Sequence, residues 1–571
     1  MKIIKGIPAS SGISIGPAFQ FKKGEIHIPR HQVEDPAPEI QRFEAALEQA
    51  RQELAQVLEK AQAETDAGTA SIFEAHALML EDPDFLAAIQ EKINDRALNA
   101  EAAVADATET YAQMLDAMED EYLKARAADI RDVGMRVVRI LLKIGDSPTS
   151  GLEKPAVILA DELTPSDTIT LDKSLVLGFC TAGGGPVAHV AILARELGLP
   201  AVVGMGSDIL DIPDLTEVVV DGDEGTLLVE PDQATVANKR AQAESQLEKG
   251  AEARKHAKEP AVTRDGHQVE VVANIGNVEG AKVALQSGAE GVGLLRTEFL
   301  YLERTHMPDE EEQYQAYQAI LETFGRLPVI LRTLDIGGDK NLPYLSLPEE
   351  MNPFLGLRAI RLCLTRPEIF KPQLKAALRA STGHNLKLMF PMVATVAEVR
   401  AAKVILEECR GDLSGSGQTM ADHIEIGIMV EIPAAVITAD QLAAEVDFFS
   451  IGTNDLSQYT MAADRTSSSV SALANAFQPA VLRLVRDIVD TAHQHGKWVG
   501  MCGELAGEPL AIPLLLGLGL DELSMNPPAI PLAKQIIRSL TLKEARGIAQ
   551  AALDLDSPEG VRSWLESKYP L

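Results

Sequence analysis

From residue 261 to residue 571, short apolar runs alternate with segments of helical length. Eight such runs occur, at 269–275, 291–295, 328–334, 386–392, 425–431, 446–451, 497–502 and 520–525. Eight strand–helix units over roughly 300 residues are the makeup of a TIM barrel, in which parallel strands close inside a ring of helices. The pattern therefore predicts a C-terminal (β/α)8 barrel over 261–571.

The first half of the chain has a different periodicity. Residues 31–144 are rich in Ala, Glu and Leu, and their apolar positions recur at helical spacing, which predicts a subdomain of four or five helices. Residues 1–30 and 145–231 consist of short β-rich runs, turns and one helix, which indicates a compact α/β unit. Residues 232–260 are polar and charged, as expected for a linker helix that permits rigid-body reorientation. The fold class is a multidomain α/β protein.

Polar side chains fall at or just past the C-terminal ends of the predicted barrel strands. They are Asn274, Arg296, Arg332, Glu431, Asn454, Asp455, Cys502 and Asn526. The carboxyl ends of TIM-barrel strands converge on one face, and active sites are built there. We therefore expect these side chains to line a common site.

Two of these residues are carboxylates after consecutive strands. Glu431 lies in MVEIPAA and Asp455 in IGTNDLSQY. Two hard oxygen ligands with open positions suit Mg²⁺, which keeps waters and accepts oxygens from phosphate or carboxylate. The alternative is that Asp455, with Asn454, caps a helix. Their succession after two strands favours the metal.

Four arginines add positive charge around the same predicted rim. Arg296 and Arg332 follow successive strands, Arg358 lies in a loop and Arg465 lies in MAADR. Guanidinium groups bind phosphate and carboxylate in a bidentate manner and offset charge in phosphoryl transfer. The pattern indicates a small, doubly anionic, metal-bound substrate.

A cysteine and a histidine could carry the chemistry. Cys502 in GMCGELAG follows the seventh strand and could protonate a carbon, although lone cysteines are usually inert and buried. His189 ends the glycine-rich loop GGGPVAH and opens a short amphipathic helix. A neutral imidazole is a nucleophile near pH 7, and a helix N-terminus favours an anion. Taken alone, such a histidine could equally be structural.

Composition limits which kinds of partner and which cellular compartment are expected for this protein. A formal charge of −32 argues against a nucleic-acid partner. It would suit a small basic protein partner or simple solubility, and the charge alone does not distinguish the two. Four widely spaced cysteines suit a reducing cytosol, and the N-terminus lacks the apolar core of a signal peptide. The longest apolar run, 511–520, is too short to cross a bilayer. We expect a cytoplasmic protein without membrane insertion.

These segments together resemble one enzyme family. The His189 segment, LLRTEFLY, LRTLDIGGDK, NPFLGLRAIR, MVEIPAA, FFSIGTNDLSQYTMAADR and GMCGELAG are similar, in order, to Enzyme I of the phosphoenolpyruvate-dependent sugar phosphotransferase system. Pyruvate phosphate dikinase and phosphoenolpyruvate synthase share the phosphohistidine and barrel parts, but they also need a large ATP-binding domain.

The resemblance implies a two-step transfer. Phosphoenolpyruvate bound with Mg²⁺ in the barrel would phosphorylate His189, release pyruvate, and leave a phosphohistidine for the small carrier protein HPr or an HPr-like domain, docked on the helical subdomain. The α/β domain would swivel between barrel and carrier, and the barrel would form a homodimer.

The resemblance also assigns roles by position. Arg296, Arg332, Arg358 and Arg465 would bind the phosphate and carboxylate groups, with Asn454 and Asp455 as further substrate contacts. Glu431 and Asp455 would be the Mg²⁺ ligands. Cys502 would protonate the enolate, and Thr168 in LTPSDT would support His189 by a hydrogen bond.

One segment departs from the family pattern. The usual loop reads GGRTSH, whereas Pro186, Val187 and Ala188 precede His189 in this chain, so side-chain donors are missing. This departure leaves open which carrier protein the enzyme uses.

Two alternative functions are a Mg²⁺-dependent carbon–carbon lyase acting on a pyruvate-type substrate and a non-catalytic phosphorylation sensor. A lyase would leave His189 and the first 230 residues without a role, and a sensor would be expected to lack barrel ligands.

Overall fold

The structure is a computed structural model. It contains two compact units, Met1–Leu247 and Glu248–Leu571. The residues it describes are 1–21, 28–64, 76–77, 79–116, 121–144, 152, 154–163, 167, 172–185, 189–302, 304, 306–337, 342, 344–345, 350–465, 467 and 469–569.

The first unit contains an eight-stranded sheet built from two distant parts of the chain. Its strands are β1 (Lys2–Lys5), β2 (Ile7–Ser10), β3 (Ile13–Phe21), β4 (Ala156–Ala160), β5 (Val176–Thr181), β6 (Ala201–Val203), β7 (Glu217–Asp221) and β8 (Thr226–Val229). Their order is β1-β8-β7-β3-β4-β5-β6-β2, with β3 to β6 parallel and the outer pairs antiparallel. β4 is buried along its whole length because sheet neighbours flank it and apolar clusters cover both faces.

Helices form the rest of the first unit. They are α1 (Ala37–Glu64), α2 (Pro83–Asp95), α3 (Ala100–Asp116), α4 (Glu121–Leu142), α5 (His189–Leu197) and α6 (Gln233–Lys255), the last running into the second unit. The first four pack around a shared apolar core that includes Phe43, Phe85 and Val138. Asp82 starts α2 by accepting hydrogen bonds from the backbone N–H groups of Asp84 and Phe85, both at 2.9 Å.

The second unit contains the barrel that the eight apolar runs predict. Its strands are β9 (Glu270–Ile275), β10 (Val292–Leu295), β11 (Val329–Arg332), β12 (Leu386–Phe390), β13 (Ile426–Val430), β14 (Phe448–Ile451), β15 (Trp498–Met501) and β16 (Glu522–Met525). All neighbours are parallel, and β16 pairs with β9 to close the barrel. The fold prediction is therefore confirmed, although each of the eight observed strands is shorter than its apolar run.

Helices surround this barrel. They are α7 (Val278–Gln286), α8 (Glu310–Phe324), α9 (Ile360–Thr365), α10 (Pro367–Ala380), α11 (Val396–Gly415), α12 (Pro433–Ile437), α13 (Ala439–Ala443), α14 (Thr453–Met461), α15 (Pro479–Gln494), α16 (Ile512–Leu518), α17 (Ile530–Ser539), α18 (Leu542–Leu553) and α19 (Pro558–Lys568). Three of them, α8, α11 and α18, begin with a reciprocal capping box, such as Thr395 with Glu398. None of the described helices combines the length and apolar character needed to cross a membrane.

The amino-terminal end of the barrel interior holds a buried acid. Glu522 begins β16 and is 3% exposed, and its Oε1 atom has no hydrogen-bond partner among the described residues. The pKa of Glu522 is raised to about 8, mainly by burial and also by the neighbouring charges of Glu270 and Asp521, while Lys387 acts in the opposite direction. Glycine at 500 leaves room for this side chain, since a Cβ there would lie 2.8 Å from Oε1.

Replacing this acid should flatten the dependence of barrel stability on pH. The pKa of Glu522 is higher in the folded state than in the unfolded chain, so its contribution to stability falls as pH rises from about 4.5 to about 8. Glu522→Gln should therefore raise the Tm of the barrel by several degrees at pH 9 relative to wild type, with a smaller difference at pH 5.

Tryptophan fluorescence measures this directly, because both tryptophans, Trp498 and Trp564, lie in the second unit. Glu279→Gln, which removes an exposed carboxylate from α7, should keep the wild-type pH dependence. An equal loss of stability between pH 5 and pH 9 in Glu522→Gln and wild type would contradict this prediction.

Candidate active site at the carboxyl end of the barrel

Four strands deliver the central side chains of the candidate site. Arg332 is the last residue of β11, Glu431 directly follows β13, and Cys502 directly follows β15. Asp455 lies in the first turn of α14, just after β14. All four are at least nine-tenths buried, so the strand ends place them within the barrel mouth rather than on its outer surface.

Five buried charged groups form a continuous chain, which we call the acid–arginine network: Glu298, Arg332, Asp335, Arg358 and Asp455. Arg332 donates through Nη2 to Glu298 Oε1 at 2.9 Å, and its Nη1 lies 3.0 Å from Asp335 Oδ2. Arg358 donates through Nε and Nη2 to Asp335 at 2.9 and 3.2 Å. Its Nη1 and Nη2 each lie 3.3 Å from an oxygen of Asp455.

Alternating charge keeps both guanidiniums ionised. Burial alone would lower the pKa of Arg332, but Glu298 and Asp335 raise it above its usual value. Burial would also lower the pKa of Arg358, but the charges of Asp335 and Asp455 outweigh this effect and raise the pKa above its usual value. The Nε atom of Arg332 is buried without a hydrogen-bond partner among the described residues. Such a donor is suited to an oxygen of an anionic ligand.

Glu431 is the least solvated carboxyl group of the site. It is 1% exposed and accepts a hydrogen bond from the backbone N–H of Met392 at 2.6 Å. Burial raises its pKa to about 8, with further contributions from the negative charges of Asp455 and Asp335. Gly452 leaves space beside it, because a Cβ at that position would lie 3.1 Å from Glu431 Oε2. Because the charge of Asp455 raises the pKa of Glu431, the two carboxylates repel each other when both are ionised.

Cys502 is held as a thiol. Its Sγ atom lies 3.7 Å from the carbonyl oxygen of Ile451, to which it donates. Burial raises the pKa of the Cys502 thiol to about 11, and the nearby charge of Glu431 also raises it, while Ser450 and Arg332 act in the opposite direction. The backbone carbonyl of Cys502 accepts a hydrogen bond from Asn274 Nδ2 at 3.1 Å, which ties this residue to β9.

The remaining predicted residues lie around this centre. Arg465 Nη2 is 4.0 Å from Asp455 Oδ1, and its side chain is partly exposed. Asn454 Oδ1 accepts from the backbone N–H of Glu504 at 3.1 Å, which links the ends of β14 and β15. Arg296 and Asn526 are exposed just after β10 and β16. The structure thus brings Arg332, Arg358, Glu431, Asp455, Arg465 and Cys502 together, with Arg296 at the rim.

The other unit contains the predicted nucleophile. His189 is the first residue of α5, which follows the glycine-containing turn after β5. Thr181 braces that turn, since its hydroxyl donates to the carbonyl of Gly183 at 2.8 Å. Thr168 and residues 186–188 lie outside the described residues, so the predicted support for His189 stays a prediction.

Glu298 and Asp335 are site residues that sequence reasoning missed. A weak signal was present, because Glu298 comes two residues after Arg296 and Asp335 three residues after Arg332. An acid near an arginine at a strand end is ordinary on a protein surface, however. Only the closed barrel shows that both carboxylates are buried against guanidiniums, where neither can remain unpaired.

The donor set fits a divalent cation that takes most of its ligands from substrate and water. Within the described residues, no group of three or more acidic, histidine or cysteine side chains forms a complete protein-built metal site. Glu431 and Asp455 offer two oxygen donors, and their mutual repulsion is what a cation would relieve. The arginines supply fixed positive charge beside them, as a phosphate- or carboxylate-bearing substrate requires.

A buried pair of acids, a set of arginines and a thiol at the mouth of a TIM barrel define a class of enzyme that handles a small anionic substrate. Family models of the PEP-utilising enzymes (PEP is phosphoenolpyruvate) match the chain in three parts: the N-terminal domain at residues 5–126, the mobile domain at 152–225 and the PEP-binding domain at 250–542. This family implies a divalent metal.

Full-length relatives narrow the class. A phosphoenolpyruvate-protein phosphotransferase of Bacillus subtilis (strain 168) is 46% identical over 569 residues, covering all of both chains. Those of Bacillus sp. (strain S) and Staphylococcus carnosus (strain TM300) are 48% and 47% identical over at least 99% of each chain. The chain belongs to the phosphoenolpyruvate-protein phosphotransferase family, and the expected resemblance to Enzyme I is confirmed. The lyase alternative is not favoured.

Proposed function

We propose that this enzyme transfers the phosphoryl group of phosphoenolpyruvate to His189 and then to a histidine of HPr or an HPr-like carrier protein, releasing pyruvate. The observation that carries the proposal is the convergence of buried acids, arginines and a thiol at one end of the barrel, in a chain that matches phosphoenolpyruvate-protein phosphotransferases over its full length. Such a transfer would be the first step of sugar uptake by a phosphotransferase system.

The substrate would be bound by side chains around the barrel mouth. Arg332 presents a buried N–H group that has no partner in the described part of the chain, and Arg296 and Arg465 are positioned at the rim to bind phosphate or carboxylate oxygens. Asn454, Asp455 and Arg358 are the further proposed contacts. Mg²⁺ would be held by Glu431 and Asp455, and when bound it would neutralise charge on the phosphate and on the developing enolate.

The chemistry divides between two side chains. A neutral ring nitrogen of His189 would form a bond to phosphorus as the bond from phosphorus to the enol oxygen breaks, which leaves the enolate of pyruvate. Cys502 would then donate its proton to the terminal carbon of that enolate, and the product is pyruvate. The network arginines stabilise the negative charge that moves onto the leaving oxygen.

The proposal assigns a task to each segment. Residues 1–30 and 145–231 would form the phosphohistidine subdomain, 31–144 the carrier-binding subdomain, 232–260 the linker helix, and 261–571 the phosphoenolpyruvate-binding and dimerisation domain. Residues 31–144 contain more than twice as many acidic as basic side chains, which suits a basic carrier. Supporting evidence for the linker is helix α6, which spans the boundary between the two units.

We further propose that the enzyme is a cytoplasmic homodimer. Exposed apolar side chains follow three barrel strands at the carboxyl end, at Met351, Leu355, Ile437 and Leu473. Covering such side chains with a second barrel would remove apolar surface from water, which favours association. The four cysteines are free and buried, as suits a reducing compartment.

Labelling with phosphoenolpyruvate tests the proposed function. With ³²P-phosphoenolpyruvate and Mg²⁺, the wild-type enzyme should acquire one acid-labile label, which His189→Ala abolishes because the accepting nitrogen is gone. His495→Ala, at the end of α15, is a matched histidine control and should label normally. Turnover to pyruvate without label on the protein would contradict the proposal and support a lyase.

The metal assignment predicts a separation of the two transfers. Asp455→Ala should abolish labelling by phosphoenolpyruvate, because both a metal ligand and a substrate contact are lost. Phosphate transfer from the phosphorylated carrier back to His189 should continue at the wild-type rate, since it needs no barrel residue. If this reverse transfer also fails while barrel fluorescence is unchanged, the proposed division of labour is wrong.

The role of Cys502 predicts a specific loss of protonation. In Cys502→Ser a much weaker acid replaces the thiol, so pyruvate formation should slow by about a hundredfold or more, with little effect on transfer from the carrier to His189. Both rates are measured on the same preparation. Cys409→Ser, which alters another buried cysteine, should leave both unchanged. Equal slowing of the two rates in Cys502→Ser would contradict the role of Cys502 as the acid that protonates the enolate carbon.

A further inference from the structure

Asp335 occupies the centre of the acid–arginine network. Its carboxylate is 3% exposed and contacts both guanidiniums, through Arg332 Nη1 at 3.0 Å and through Arg358 Nε and Nη2 at 2.9 and 3.2 Å. Its backbone N–H donates to Glu298 Oε1 at 3.1 Å, which is the oxygen that Arg332 also contacts. A single residue therefore connects the two halves of the network.

Arg358 is heavily committed to carboxylates in this arrangement. Its Nε and both terminal nitrogens contact Asp335 or Asp455, and Nη1 also lies 3.4 Å from the hydroxyl of Tyr459. Both oxygens of the proposed metal ligand Asp455 thus face the guanidinium of Arg358. A cation that binds Asp455 has to compete with Arg358 for those oxygens.

We propose that Asp335 is a positioning residue. By pairing with Arg358, it weakens the attraction of that guanidinium for Asp455 and thereby tunes the affinity of the site for the divalent cation. Asp335 is one of three carboxylates set against the two guanidiniums of the network. Without the charge of Asp335, Asp455 would be the one close carboxylate partner of Arg358 among the described residues, and the attraction of the site for a cation would fall. This inference rests on the proposed assignment of Asp455 as a metal ligand.

Binding of Mn²⁺ to the enzyme without substrate, followed by electron paramagnetic resonance, tests the proposal. Asp335→Asn should bind Mn²⁺ at least tenfold more weakly than wild type, and the Mg²⁺ concentration for half-maximal labelling of His189 should rise by a similar factor. Asp447→Asn, which changes a partly buried aspartate in the same barrel, should bind Mn²⁺ like wild type.

A second variant separates charge balance from folding. The double variant Asp335→Asn, Arg358→Met removes one negative and one positive charge together, so it should recover Mn²⁺ affinity to within about threefold of wild type. A purely structural role for Asp335 would not restore metal affinity in this way. If Asp335→Asn alone fails to fold, as reported by tryptophan fluorescence, the Mn²⁺ affinity of the double variant still tests whether Asp335 acts through charge balance with Arg358.

The outcomes distinguish this inference from the proposed function. Wild-type Mn²⁺ affinity in folded Asp335→Asn, or weak binding in the folded double variant, would overturn the role of Asp335. Asp455→Ala is measured in parallel. If it keeps wild-type Mn²⁺ affinity, the assignment of the metal ligand fails, and the role proposed here for Asp335 fails with it. Weak binding in both single variants together with recovery in the double variant supports both.

Discussion

The pairing of buried carboxylates with buried guanidiniums is the interaction on which the candidate active site depends. Arg332 and Arg358 are both more than nine-tenths buried, and neither could be kept there without an anionic partner, because desolvating a charge costs several kcal/mol. Glu298, Asp335 and Asp455 supply those partners within hydrogen-bonding distance. The charges are thus fixed in place before any substrate arrives, and little reorganisation remains for the reaction itself.

The barrel interior is charged at both ends and mainly apolar between them, with buried Ser450 and Ser524 as polar exceptions. Leu294, Ile330, Met389 and Met429 form a cluster with Phe448 and Cys502. Their neighbours along the same strands pack instead against the surrounding helices, so this cluster lies inside the barrel. At the amino-terminal end Phe448 stacks on Trp498 at 4.5 Å, and Lys387 Nζ, whose charge acts on Glu522, lies 4.6 Å from the ring centre of Trp498. An apolar layer below the active site keeps water away and strengthens electrostatic interactions within it.

The architecture of the barrel could be predicted from sequence, because a repeated strand–helix pattern is a local property of the chain. The convergence of Arg332, Glu431, Asp455 and Cys502 also followed, since parallel strands place their carboxyl ends on one face. Glu298 and Asp335 did not follow, and neither did the pairing of Arg358 with Asp455 across 97 residues. Which charged groups are desolvated against each other depends on side-chain packing in the closed barrel, and periodicity contains no information about it. The functional roles of these side chains, like those of His189 and Thr168, stay predictions.

The environment of Cys502 keeps its thiol protonated although the guanidinium of Arg332 is nearby. A thiol beside arginines would ordinarily lose its proton, and a thiolate has no proton to give to an enolate. Here burial and the charge of Glu431 outweigh Arg332, so the pKa of Cys502 is raised to about 11 and the proton is retained at neutral pH. An enolate carbon is basic enough to take a proton from such a thiol, whereas phosphate oxygens are not. The same buried surroundings that require the arginines to be paired thus keep the thiol protonated, which is what the proposed protonation of an enolate carbon by Cys502 requires.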